Sequence, residues 1–157
     1  MTFEEASNAV EFLMRLIKEK GATIMGMDLN IYIAKSYDML AAQSYDDYYD
    51  FDEIMDNTYF YDEDGKFHLP TDKPIDAWYA RKFHDLVDAI PALQETFHND
   101  TGIVRLKKET LKAMIEFYAF HPDYFDDFSG LPRLCQLYQM YDNLQANGLN
   151  LYFANSY

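Results

Sequence analysis

The sequence predicts an α+β domain, rich in helix, in which the helices pack on a small, mostly antiparallel sheet. Three observations carry this prediction. Several segments repeat apolar residues at helical spacing, others alternate apolar and polar residues, and an Asp-Gly pair lies between two aromatic runs. Hydrophobic residues make up 49% of the 157 residues, which is enough for a real core. No internal repeat or linker interrupts the chain, so we expect one acidic globular domain over residues 1–157.

The first predicted element is a helix that begins at Thr2. Thr2 and Glu5 have the spacing of a capping box, in which each side chain bonds the backbone N–H of the other residue. Gly21 is a typical helix stop. The apolar residues at helical spacing are Phe3, Ala6, Val10, Leu13, Leu16 and Ile17.

Residues 27–34 favour a strand, because apolar and other residues alternate there and two of the apolar residues are β-branched. The apolar positions are Leu29, Ile31 and Ile33, and the alternating ones are Asn30, Tyr32 and Ala34. A helix from Asp28 onward is the competing interpretation.

Residues 36–57 favour helix in two pieces, and Ser44 with Asp47 has the spacing of a cap between them. The residues expected to face inward are Tyr37, Leu40 and Ala41 in the first piece, and Tyr48, Phe51, Ile54 and Met55 in the second. Residues 58–61 and 66–69 then flank Asp-Glu-Asp-Gly, which predicts a hairpin near 58–69 that ends at Pro70.

The next predicted helix is capped by Thr71 or Asp72 and has Pro74 in its first turn. Its apolar residues are Ile75, Trp78, Tyr79, Phe83, Leu86 and Val87, and Pro91 breaks or restarts it. The remaining predicted elements are a strand at 103–106, a helix at 108–120, a helix at 131–146 stopped by Asn147-Gly148, and a strand at 149–153.

Two short stretches resemble small uncharacterised phage and bacterial proteins. Residues 25–33, Met-Gly-Met-Asp-Leu-Asn-Ile-Tyr-Ile, are similar to their M-G-L-D-x-Y-L-Y opening, although Asn30 takes the place of an aromatic residue. Residues 78–84, Trp-Tyr-Ala-Arg-Lys-Phe-His, resemble their later Y-W-R-K-x-x-x-[IL]-H segment. The resemblance implies a strand near residues 27–34 and an origin in a mobile element, and it implies no activity.

The net charge of −14 excludes several classes of partner. A chain this acidic repels nucleic-acid phosphates and anionic lipid, so we expect no direct nucleic-acid binding and no membrane binding. A basic protein surface is its electrostatic complement. The single cysteine, Cys135, allows no disulfide within the chain and fits the cytoplasm, that of the host cell if the protein is phage-encoded.

Much of the negative charge lies in residues 36–65, which we call the acidic aromatic segment. No basic residue occurs between Lys35 and Lys66. The ten acids there are Asp38, Asp46, Asp47, Asp50, Asp52, Glu53, Asp56, Asp62, Glu63 and Asp64, and six tyrosines are interleaved with them, Tyr37, Tyr45, Tyr48, Tyr49, Tyr59 and Tyr61. Tyrosine is enriched at protein interfaces, so the segment is the predicted partner-binding surface, although a merely solvated face is the competing interpretation.

The charge density of this segment depends on its conformation. Residues 46–56 hold six carboxylates. As a helix they would span about 16 Å, over which duplex DNA carries about ten charges, so the helix would resemble DNA in charge. An extended conformation would remove that analogy. A second acidic aromatic cluster, at residues 121–128, adds Asp123, Asp126 and Asp127 to the predicted partner-binding residues.

The sequence indicates no catalytic residue, no metal site and no cofactor. His121 and the aspartates after it are suitable ligand types without a recognised spacing, and His84 beside Asp85 and Asp88 is more typical of a surface pair than of an acid–base pair. Cys135 lies among apolar residues of a helix, which favours a buried structural thiol. The only local basic patch is Arg105, Lys107, Lys108 and Lys112, which could balance the acidic face within a homodimer.

The leading hypothesis is therefore a non-enzymatic inhibitor that blocks the basic groove of a nuclease or other nucleic-acid-handling enzyme. It could serve a phage as a counter-defence protein that acts by DNA mimicry, or act as an immunity protein against a nuclease toxin. A small metal-dependent enzyme and a structural phage protein are the alternatives from other classes.

Overall fold

The computed structural model describes residues 28–42, 47–65, 68–81, 84–99, 101–121 and 130–156, together with Thr2, Glu4, Glu5, Ser7 and Asn8. Glu4, Glu5, Ser7 and Asn8 are helical. The predicted capping box is confirmed, because the Thr2 N–H donates to Glu5 Oε2 at 3.3 Å and the Glu5 N–H donates to Thr2 Oγ1 at 3.1 Å. The apolar stripe predicted for this helix and its stop at Gly21 lie outside the described residues.

Five strands form one sheet, and three of its four pairings are antiparallel, as predicted. The strands are β1 (Asp28–Ala34), β2 (Tyr49–Asp50), β3 (Ile75–Arg81), β4 (Ile103–Arg105) and β5 (Asn150–Ser156). Their order across the sheet is β2-β3-β1-β5-β4, and β2 runs parallel to β3. The predicted strand at 27–34 is thus the central strand, and the α+β class is confirmed.

Besides the helical residues near the N-terminus, six helices accompany the sheet in the described part of the chain. They are α1 (Tyr37–Ala42), α2 (Phe51–Met55), α3 (His84–Ala89), α4 (Pro91–Gln94), α5 (Lys108–Phe120) and α6 (Gly130–Ala146), with short 3₁₀ turns at Thr58–Phe60 and Glu95–Phe97. The main core joins one face of the sheet to α2–α6 through fully buried residues that include Ile31, Ile75 and Leu137. On the other face, Leu40 of α1 packs against Ala34 and Tyr152.

The prediction of a helix beginning near Pro74 is wrong, because residues 75–81 form strand β3. In the antiparallel register Ile31 lies opposite Trp78 and Tyr32 opposite Asp76, so Ala77 is an extra, bulged residue. The bulge leaves both Ala77 and Trp78 buried, at 1% and 4% exposure. Apolar residues three apart, Ile75 and Trp78, therefore face one core from a strand, although their spacing is typical of a helix. Of the predicted helix, only the later part is helical, as α3. A new helix, α4, begins at Pro91, as expected if this proline restarts the helix.

The predicted hairpin near 58–69 is confirmed as a chain reversal, but its first strand is wrong over residues 58–60, and residues 66 and 67 of its second strand lie outside the described residues. Residues 58–60 form a 3₁₀ turn because the Asn57 side chain accepts a hydrogen bond from the Tyr59 N–H at 2.9 Å. The chain then turns at residues 62–65, where the Gly65 N–H donates to the Asp62 carbonyl at 3.0 Å and Gly65 has a φ of +78°. The His68 N–H closes the reversal on the Phe60 carbonyl at 2.7 Å, outside the five-stranded sheet.

The C-terminal third follows the sequence prediction closely. Strand β4, helix α5 and helix α6 lie at the expected positions, and β5 extends three residues beyond the predicted end. Helix α6 ends in a Schellman motif, in which the Leu149 N–H donates to the Leu144 carbonyl and the Gly148 N–H to the Gln145 carbonyl. Gly148 has the required positive φ of 76°. Among the residues described, no helix is both long enough and apolar enough to cross a membrane.

Candidate protein-binding surface

The acidic aromatic segment reaches the edge of the sheet through strand β2. The Tyr49 N–H donates to the Pro74 carbonyl at 2.9 Å, and Asp50 lies opposite Asp76 in the parallel register. The Asp50 side chain then accepts from the Asp52 N–H at 2.9 Å and caps helix α2. This strand explains why residues 46–56 do not form one helix: the backbone of Tyr49 bonds across the sheet instead of along a helix.

Residues 46–56 therefore do not form the single helix on which the predicted DNA-like charge density depended. Helix α2 covers only Phe51–Met55, and Asp46 lies outside the described residues together with the Ser44 cap proposed from the sequence. Within helix α2 the inward-facing residues are Phe51 and Ile54, as predicted. In helix α1 only Leu40 is buried, whereas Tyr37 and Ala41 are exposed.

A surface groove of about 710 Å³ lies beside β2, and we call it the acidic aromatic groove. It is lined by Tyr49, Tyr59, Phe60, Tyr61, Asp62, His68, Leu69, Pro70 and Asp72. The Phe60 ring makes edge contacts with Tyr49 at 6.3 Å and with Tyr59 at 5.3 Å between centroids. The Tyr59 side chain is 84% exposed, so the groove presents a large aromatic group to solvent.

Hydrogen bonds fix two of the groove's tyrosines. The Tyr49 hydroxyl donates to the Asp72 carboxylate, with both oxygens at 3.0 Å, and the Tyr61 hydroxyl donates to the Met55 carbonyl at 2.9 Å. Burial raises the pKa of Tyr49, and the hydrogen bond to Asp72 and the negative charge of that residue raise it further. The rings therefore keep their orientation while their faces line the groove.

Carboxylates surround these aromatic rings. Asp62 accepts from the Asp64 N–H and lies 2.9 Å from His68 Nε2, so it closes the turn and orients the histidine. A set of four exposed acids makes no side-chain hydrogen bond or ion pair with any described residue: Glu53, Asp56, Glu63 and Asp64. No described side chain neutralises these four charges, and aromatic faces with nearby carboxylates are suited to cationic side chains.

The acidic aromatic segment has counter-charges that its sequence does not show. Arg133, from helix α6, makes an ion pair with Asp52 and places its guanidinium 4.4 Å from the centre of the Phe51 ring. Lys73 Nζ lies 5.6 Å from the centre of the Tyr49 ring. Asp52 is thus partly neutralised by a residue that lies far outside the segment in sequence.

The structure brings together only part of the predicted binding set. Tyr49 and Asp62 line the groove, Asp50 and Asp52 hold helix α2, and Asp47 is half-buried. The second cluster, with Asp123, Asp126 and Asp127, lies outside the described residues. The groove residues that the prediction missed are His68, Leu69, Pro70 and Asp72, which follow the chain reversal, and the Asp-Gly turn was the one signal that could have placed them there.

The remaining candidate residues do not converge on a reactive site in the described part of the chain. The His121 ring stacks on Phe117, at 4.4 Å between centroids, with Nδ1 3.0 Å from the Phe117 carbonyl oxygen. The side chain of His84 is not among those described. Within the described residues no group of three or more histidine, cysteine or acidic side chains is placed to hold a metal ion. Cys135 is half-buried rather than buried.

The predicted basic patch lies at β4, the opposite edge of the sheet from the groove. Arg105 donates to Gln145 Oε1 at 3.0 Å and to Asn150 Oδ1 at 2.8 Å. Lys108 makes an ion pair with Asp142 at 2.8 Å, and this hydrogen bond raises the pKa of the lysine. Half of the patch is therefore engaged within the chain, while Lys107 and Lys112 are exposed.

Comparisons with protein-family models, with curated proteins and with solved structures give no match to this chain.

Proposed function

We propose that this chain is a non-enzymatic binding protein that presents the acidic aromatic groove to a basic surface of another protein. One observation carries the proposal: an exposed tyrosine, Tyr59, lines a groove together with the carboxylates of Asp62 and Asp72, and four exposed acids that are close to these residues in sequence have no side-chain partner among the described residues. Exposed aromatic area supplies contact energy, and uncompensated charge attracts and orients a basic partner.

The partner class follows from charge. Proteins that handle nucleic acid carry basic grooves complementary to a polyanion, so a nuclease or another nucleic-acid-binding enzyme is the proposed target. Inhibition would result from covering that groove. Because residues 46–56 are not one helix, the proposal depends on charge and aromatic contact and not on the shape of duplex DNA.

Two biological settings fit this activity. A phage or mobile element would use it against a defence enzyme of the host, and a bacterium would use it as immunity against a nuclease toxin. The resemblance of residues 25–33 and 78–84 to small phage and bacterial proteins favours the first setting.

The proposal is tested by capturing partners from a host lysate with the parent protein and with two matched variants. The groove variant carries four changes, Glu53→Lys, Asp56→Lys, Glu63→Lys and Asp64→Lys, none of which removes a side-chain contact among the described residues. The control variant carries four changes at exposed acids of α3 and α5, Asp85→Lys, Asp88→Lys, Glu109→Lys and Glu116→Lys. Both variants change the net charge equally.

We expect the parent and the control variant to retain a nucleic-acid-binding protein at about 0.1 M salt and to release it at about 1 M, where screening shortens from about 10 Å to about 3 Å. The groove variant is expected to retain much less of it. Equal capture by the two variants, with folding verified by circular dichroism, would show that net charge rather than this groove selects the partner and would overturn the proposal.

A further inference from the structure

A second cavity, of about 310 Å³, lies on the face of the sheet opposite the main core, and we call it the tyrosine pocket. It is lined by the tyrosines Tyr32, Tyr48, Tyr49 and Tyr79 and by the polar residues Asn30, Asp50 and Asp76. The alternation of β1 creates it: the odd-numbered residues from Leu29 to Ile33 enter the main core, so Asn30 and Tyr32 project to the other face. Tyr49 lines both this pocket and the acidic aromatic groove, so the two adjoin at this residue.

Two carboxylates meet in the tyrosine pocket. Asp50 of β2 and Asp76 of β3 are directly opposite each other in the parallel register, an arrangement of like charges that is unfavourable between neighbouring strands. Asn30 Nδ2 donates to Asp76 Oδ1 at 3.4 Å. Burial raises the pKa of Asp76, and the charge of Asp50 raises it further, while the Asn30 hydrogen bond and the positive charge of Arg133 lower it. The fold thus brings two negative groups together at some cost, which a bound cation would offset.

Aromatic rings form the walls of the same pocket. Tyr32 and Tyr48 are stacked, with centroids 5.1 Å apart. Tyr79 is 54% exposed, and its hydroxyl donates to Asp28 Oδ1 at 3.0 Å, which fixes the orientation of this ring. Aromatic faces attract organic cations, and the effect is greatest where the cation is also desolvated.

We propose that the tyrosine pocket binds one guanidinium group, that of an arginine side chain of the basic partner. A planar guanidinium can donate to two carboxylates at once and stack on an aromatic ring, which a compact ammonium group cannot do. The cavity volume is at the lower limit for ligand sites and suits one side chain rather than a larger molecule. This inference rests on the proposed function, because it specifies the anchor of that interface.

The inference is tested by NMR titration of the purified chain with N-acetylarginine amide. The controls are the lysine and leucine analogues. One side chain gives millimolar affinity, so the titration extends to about 50 mM. We expect saturable shifts of the backbone amides of Asn30, Asp50, Asp76 and Tyr79 with the arginine probe, and weaker binding of the lysine analogue.

Two variants locate the site. Asp76→Asn preserves the side-chain volume and can still accept from Asn30, and it should weaken arginine binding about tenfold through the loss of a charged acceptor. Glu116→Gln, at an exposed position on α5, should leave the affinity unchanged. The absence of saturable shifts, equal affinity for the leucine analogue, equal affinity for the lysine analogue, or unchanged affinity in Asp76→Asn would each overturn the inference.

The outcomes separate this inference from the proposed function. If the lysate experiment yields a salt-sensitive partner through the groove and the arginine probe does not bind, only the arginine anchor is wrong. If the probe binds as expected and the groove variant captures partners as well as the control variant does, the tyrosine pocket is a guanidinium site and the proposed function is wrong.

Discussion

Arg133 connects helix α6 to the bulged strand and to the acidic aromatic segment. Its Nη1 donates to the carbonyl of Ala77 at 2.8 Å, and Ala77 is the bulged residue that has no ladder partner. Its Nη2 makes the ion pair with Asp52, and its guanidinium lies over the Phe51 ring. The Arg133 side chain is 20% exposed, whereas that of Asp52 is 74% exposed. Removal of Arg133 therefore disrupts contacts that are largely buried, and removal of Asp52 disrupts one that is mostly exposed.

We predict that Arg133→Ala destabilises the fold much more than Asp52→Asn. The first change leaves the Ala77 carbonyl without its donor, at about 1–3 kcal/mol, and removes the contact with Phe51, at about 0.5–2 kcal/mol. The second removes an exposed ion pair, which contributes less than about 1 kcal/mol. Urea unfolding of the two variants measures the difference, and equal losses would contradict the role of Arg133 at the bulge.

Asp76 should make stability depend on pH. Its pKa is raised in the folded state, chiefly by burial, so the folded chain holds this proton more tightly than the unfolded chain does. Its favourable contribution is therefore complete below the ordinary aspartate pKa of 3.8 and is lost as pH rises through the raised pKa of the folded state. We predict that Asp76→Asn raises the Tm at pH 7 and that this gain shrinks toward pH 3.8. Thermal unfolding across this range tests it, and a gain that grows on acidification would contradict the assignment.

At the scale of elements, close approach of the backbone at Gly102 holds β4 and β5 together. The Asn155 N–H donates to the Gly102 carbonyl at 2.8 Å, and Asn99 Oδ1 accepts from the Gly102 N–H at 2.8 Å. Gly102 has a φ of +68°, and a Cβ there would lie 2.6 Å from the Asn155 carbonyl oxygen. Gly65 has a similar φ of +78° with nothing within 4 Å of its added Cβ, so it serves as a matched control.

We predict a loss of about 1–2 kcal/mol for Gly65→Ala, from the left-handed conformation alone. For Gly102→Ala the steric clash adds to that cost and brings the loss to about 2–4 kcal/mol. Denaturant unfolding of both variants measures the difference. Equal losses would show that the clash at Asn155 is relieved without cost.

The elements also show why some predictions from sequence succeed. Capping boxes and Schellman motifs are local, so Thr2 with Glu5 and the stop at Gly148 could be identified without knowledge of the fold. Strand β3 could not, because the bulge at Ala77 converts a two-residue spacing into a three-residue one. Only the pairing with β1 and the donor from Arg133 make that bulge favourable, and both come from distant parts of the chain.

The candidate surface was predictable in composition and not in geometry. The sequence locates tyrosines and acids in residues 36–65, and Tyr49, Tyr59, Tyr61 and Asp62 do line the groove. The tyrosine pocket depends on Asp76 and Tyr79, which reach it only because residues 75–81 form a strand. Long-range strand pairing therefore decides which acids act together.

At the scale of the whole molecule, the acidic groove and two exposed lysines lie at opposite edges of the sheet. Strand β2, with its acidic groove, lies at one edge, and β4, followed by Lys107 and Lys112, lies at the other. The net charge of −14 makes two copies repel each other at long range, which disfavours the head-to-tail homodimer that these two edges could otherwise form. A basic partner of another kind meets the acidic edge without that repulsion.

The central claim is that the acidic aromatic groove occupies the surface on which its partner binds nucleic acid. The most direct measurement is the fluorescence anisotropy of a labelled duplex bound to the purified partner during titration with this chain. We predict stoichiometric release of the duplex by the parent, and a requirement for about tenfold more of the groove variant because four attractive charges are reversed. A stable complex that contains the partner, the duplex and this chain together would contradict the claim.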